Sequence, residues 1–135
     1  MDAAVIFYFH SGFMVTGFLL MTAGAAVAIF VRRSRWWLKF HKGAGTSAAV
    51  LFLSGFTSGV IMVAVSSGEH FFLVHHYLGL VMTAMALVTP VLGHLQFSMK
   101  ASAGKIRPLH RWSGRVTLIL ACVTVVSGLQ VAGFI

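Results

Sequence analysis

IRPLHRWSG, residues 106–114, packs a membrane boundary, a helix start and a candidate metal ligand into nine positions. Lys105, Arg107 and Arg111 are charges suited to a lipid headgroup layer, and Trp112 is an interfacial ring. Pro108 suits the first turn of a helix, where its missing N–H is no loss. His110 then lies just inside the apolar region, with Gly114 one turn further along the same face. A glycine there removes the side chain that would keep a flat ligand from lying against the imidazole. The same H-x-x-x-G spacing recurs at His41/Gly45 and at His75/Gly79. His10 has Gly17 two turns later on the same face.

The composition around this stretch is that of an integral membrane protein. Of the 135 residues, 59% are hydrophobic and only 9% charged, too few charges to coat a water-facing surface. Four apolar stretches, 3–31, 41–66, 72–98 and 109–134, each exceed the ~20 residues that a bilayer core requires. One all-α domain follows, a four-helix transmembrane bundle over residues 1–135. The net charge of +8 suggests nucleic acid until its location is read. All ten basic residues lie in or beside the first and third connections, and the only acids, Asp2 and Glu69, fall at the other side. The positive-inside rule therefore puts both termini on the non-cytoplasmic side and argues against nucleic-acid binding. The start, MDAAV, has no positive n-region, so a cleaved signal peptide is not expected. Cys122 stands alone and reads as core packing.

That topology sets the depth of each histidine. His10 and His75 enter from the non-cytoplasmic side; His41 and His110 enter from the cytoplasmic side. Each pair comes from alternate helices, which lie diagonally across a four-helix bundle. Two imidazoles facing each other at one depth are what a six-coordinate haem needs, and the arrangement occurs twice. No C-x-x-C-H is present, so both groups would be non-covalent b haems. A zinc site would want three or four ligands converging at one depth, and the spans contain no carboxylate. A copper site finds no ligand cluster among Met14, Met21 and Met82, and a proton-coupled transporter lacks its buried acid.

Other features carry less. His70, beside Glu69, faces water; His76 sits where it would meet a haem propionate or the interface; His94 reads as structural or supporting. Pro90 predicts a kink whose freed carbonyl a neighbour must satisfy. Gly24 continues a small-residue stripe for helix packing. Finally, His41, Gly45 and Ser58-Gly59 are matched by His110, Gly114 and Ser127-Gly128 at one offset of 69 residues. That offset hints at a pseudo-symmetric pair of helices.

These residues resemble the core four helices of the eukaryotic-type cytochrome b561 family, transmembrane di-haem electron carriers. The likeness rests on H-x6-G at His10/Gly17 and H-x-x-x-G at His41, His75 and His110, the last within R-P-x-H. It implies that His10 and His75 hold the non-cytoplasmic haem iron and His41 and His110 the cytoplasmic one. Family members usually carry one further helix on each side of this core, so a minimal version is implied here. Ascorbate-using members have basic residues near the cytoplasmic haem, and Lys39 and Arg107 are placed somewhat like them. The expected function is electron transfer across a membrane between a donor and an acceptor, small molecules or protein subunits. Two rivals stay open: a haem-bearing anchor subunit of a larger redox complex, and a small ascorbate- or quinol-dependent ferric or quinone reductase. Homodimerisation is compatible with each.

Overall fold

The computed structural model describes residues 2–135 and contains four long helices: α1 (Ala3–Phe30), α2 (Trp37–Ser66), α3 (Val74–Ser98) and α4 (Ala103–Val131). A single 3-10 turn, Lys100–Ser102, precedes α4. All four are long and apolar enough to cross a membrane. Their outward faces are large apolar side chains such as Leu19, Ile29, Val50, Val91 and Ile119, each about half exposed or more. Water would not tolerate that surface, whereas lipid would.

Local chemistry sets the ends. Asp2 caps α1, its carboxylate accepting the Ala4 N–H at 3.1 Å. After α2, Gly68 takes the left-handed conformation (φ 70°) and its N–H reaches back to the Val63 carbonyl at 2.8 Å. Two starts differ from the sequence reading. α2 begins at Trp37, a turn before His41. α4 begins at Ala103, so Pro108 lies inside the helix instead of at its first turn. The helix tolerates it because the carbonyl left without a donor is that of Gly104, an exposed position open to solvent. Pro90 likewise lies within a continuous α3.

The helices form a ring in chain order. α1 packs closely on α2 and α3 on α4; α2–α3 and α1–α4 contacts close the ring. The diagonal pairs, α1 with α3 and α2 with α4, make no close backbone approach. Both termini emerge at one end, the terminal face. The connections 31–36 and 99–102, with the basic residues, lie at the other, the basic face. Mid-bundle, the space between diagonals is filled by Met14, Ala48, Phe52, Met82, Ala86 and Ala121. Above and below this plug the bundle is hollow.

Candidate functional site

Two histidine pairs face each other across the diagonals. At the basic face the rings of His41 (α2) and His110 (α4) have centroids 5.9 Å apart. At the terminal face those of His10 (α1) and His75 (α3) are 6.1 Å apart. A metal–imidazole nitrogen bond is about 2.0–2.1 Å. One ion between two rings therefore sets their centroids about 6 Å apart. Among the described residues no three His, Cys, Asp or Glu side chains gather at a metal-sized site, so the histidines meet in twos.

Each imidazole is oriented by the neighbouring helix of its own hairpin. His10 Nδ1 meets the Gly55 carbonyl at 2.8 Å, and His41 Nδ1 meets the Gly24 carbonyl at 2.9 Å. His110 Nδ1 meets the Thr89 carbonyl at 2.9 Å. A carbonyl only accepts, so Nδ1 carries a proton, and in the neutral ring Nε2 then keeps its lone pair for a metal. His75 reaches the same state through a hydroxyl. Its Nδ1 lies 3.0 Å from Ser127 Oγ, whose own proton goes to the Thr124 carbonyl at 3.0 Å. This is the usual outer support of a ligating histidine.

Glycines on the facing helix make room for three of the rings. A Cβ on Gly59 would stand 2.9 Å from His10 Nδ1, and one on Gly128 would stand 2.9 Å from His75 Cε1. One on Gly93 would stand 3.0 Å from His110 Cε1. At the fourth ring, the close approach of α1 to α2 is set by Gly24, where a Cβ would meet Ala44 Cβ at 3.1 Å.

Each pair opens into a cavity of ligand size. The basic-face cavity holds about 770 Å³ and is lined by His41 and His110 with Arg32, Lys42, Arg107, Arg111 and Arg115. The terminal-face cavity holds about 530 Å³ and is lined by His10 and His75 with apolar side chains and no lysine or arginine.

The chain matches the family described as eukaryotic cytochrome b561 over residues 9–135. It belongs to that family. No curated protein and no solved structure matches it. Membership in the cytochrome b561 family makes this an integral membrane protein of haem-based transmembrane electron transfer, with haem b as its cofactor.

The residues present fit that group: paired imidazoles whose Nδ1 atoms are already engaged, a ring spacing that suits one iron, and hollow space beside each pair. Among the b561 residues singled out in the sequence, Gly45 and Gly114 line the basic-face cavity and Gly79 the terminal-face one. Gly45 and Gly79 have open space where a Cβ would stand, and Gly114 has only Thr89 Cγ2 at 3.7 Å. Gly17 lines neither cavity; a Cβ there would press on the Phe52 ring at 3.1 Å. Arg107 lines the basic-face cavity with His94, whereas Lys39 is exposed and lines neither. His76 and His70 line the terminal-face cavity, and His76 Nδ1 is buried without a hydrogen-bond partner among the described residues.

Sequence reasoning passed over Gly59, Gly93 and Gly128 as seats for the rings, and Ser127 as a partner of His75. The signal for two of the glycines was the repeat of Ser58-Gly59 and Ser127-Gly128 at the offset that relates His41 to His110. Gly24 and Gly93 share that same offset of 69 residues. Each hairpin thus carries one of the paired histidines on both helices and a support for the opposite helix's histidine.

Proposed function

We propose that the chain carries single electrons across the membrane through two b haems, one in each cavity. His10 and His75 would hold the haem at the terminal face, and His41 and His110 the one at the basic face. The observation that carries this reading is the duplicated pair: two rings about one iron's span apart, each fixed at Nδ1 by its neighbouring helix. When bound, haem supplies reversible one-electron chemistry with a potential set by its ligands and surroundings. The protein holds Nε2 of each histidine unprotonated, excludes bulk water with the apolar core, and sets the local charge.

By the positive-inside rule the basic face is cytoplasmic and the termini lie outside. Arg107 and the other lining cations meet propionate carboxylates or an anionic electron donor at that face, since no carboxylate of this chain is near them. Lys39, outside the cavity, meets an approaching anion or lipid headgroup. His76, with a buried Nδ1 that lacks a partner, is the polar contact for the terminal-face haem edge.

A pyridine haemochrome assay on purified, haem-replete protein tests the proposal. Two b haems per chain are expected. One would leave a single pair as a site, and none would overturn the reading.

A further inference from the structure

Phe52 is the one residue, among those described, that lines both cavities. It is 1% exposed and belongs to the mid-bundle plug with Met14, Ala48, Met82, Ala86 and Ala121. It is also the largest side chain of the plug, lying on α2 three turns from His41. Its ring occupies a seat shaped for it: Gly17 of α1 presents bare backbone, and a Cβ there would stand 3.1 Å from Phe52 Cε1 and 3.2 Å from Cδ1. The glycine that leaves both cavities empty of its own atoms is therefore the glycine that lets this ring in.

From this geometry we propose that Phe52, seated by Gly17, is the partition between the two cofactor sites and the positioning residue common to both. The inference rests on the two-haem reading. A side chain forming the wall of both sites fixes how deeply each flat cofactor enters and supplies packed matter in the gap between them. One electron passing from one site to the other, with no bond made and no proton moved, crosses that gap. Electron transfer weakens faster through empty space than through packed atoms, so the ring's volume matters to the rate. Its apolar face also contributes to the local dielectric at both irons, one of the levers on haem potential. Phe56, one turn further along α2, lines the terminal-face cavity alone and provides the contrast.

The test uses the full-length, haem-containing protein, with low-temperature EPR and redox titration of each haem, assigned by comparison with His10→Ala. Phe52→Leu should shift the signals and midpoint potentials of both haems and slow one-electron equilibration between them severalfold, with two haems still bound. Phe56→Leu should move only the terminal-face haem. If Phe52→Leu retains two haems and changes one or neither, the partition role is overturned while the two-haem reading stands. Fewer than two haems in the unaltered protein would overturn both. Should Phe52→Leu fail to fold, Gly17→Ala keeps the ring and displaces it. Shifts at both haems would then support the proposal, and a shift at one or neither would overturn it.

Discussion

The two cavities share a skeleton and differ in their charge. Both are framed by histidines from diagonal helices, each ring fixed at Nδ1 by its hairpin partner. Around that frame the basic-face cavity gathers five arginine and lysine side chains, and the terminal-face cavity gathers none. What repeats is what coordination demands. What differs is what sets affinity for anions and the potential of whatever the frame holds. The skeleton can therefore be broken separately from the tuning.

The largest effect is expected from the paired histidines themselves. His41→Ala or His110→Ala should remove the basic-face haem and leave the other, and His10→Ala or His75→Ala should do the reverse. Haemochrome quantitation would read each as a fall from two haems to one. Loss of both from every variant would mean that the pairs are not separate sites.

Next come the glycine seats. Gly59→Ala, Gly93→Ala and Gly128→Ala each place a methyl within about 3 Å of a ring atom of His10, His110 and His75, respectively. Overpacking of this kind costs about 1–3 kcal/mol. Each variant should show lower thermal stability and weakened haem retention at its own end only. Unchanged retention in all three would separate the seats from the ligands.

These seats also mark how far the sequence could be read. Helices and histidine pairs were legible because bilayer length and charge sidedness fix depth, and depth alone pairs His10 with His75 and His41 with His110. Gly45, Gly79 and Gly114 are legible as neighbours on each histidine's own helix, and all three line cavities. The seats lie on a different helix, and no spacing within one helix reports what crosses from another. The same limit explains Gly17: its position on the His10 face was visible, but its contact with Phe52 depends on how α1 meets α2. Pro108 suits a first turn because its missing N–H is no loss there, yet the 3-10 turn Lys100–Ser102 runs directly into α4 at Ala103, five residues earlier.

The charge difference offers a smaller effect. Lys42 sits over the Phe97 ring at 4.0 Å and Arg115 over Trp112 at 5.0 Å, so those cations are partly occupied. Arg111 lines the cavity beside His110. A nearby cation favours the reduced, more negative form of a haem. Arg111→Gln should therefore lower the basic-face midpoint potential by on the order of tens of millivolts and leave the terminal-face one unmoved. Spectroelectrochemical titration at low and high salt would check it, with the shift shrinking as salt screens the charge. An equal shift at both haems would argue against a local origin.

The smallest effect distinguishes the terminal-face pair from within. Three of the four histidines hydrogen-bond backbone carbonyls, which substitution of the residue leaves in place. Among the four, only His75 meets a side chain, Ser127, so Ser127→Ala removes an oriented partner without touching a paired histidine. The bond is worth about 0.5–1.5 kcal/mol. Its loss frees the imidazole to rotate and lowers its basicity toward a metal. Haem should be retained at both ends but released faster from the terminal-face site when transferred to apomyoglobin as an acceptor. Ser127→Thr, which keeps the hydroxyl, should restore slow release if the hydrogen bond is the cause. If alanine and threonine behave alike, orientation of His75 comes from its seat on Gly128, and the glycine takes over the role assigned to the hydroxyl.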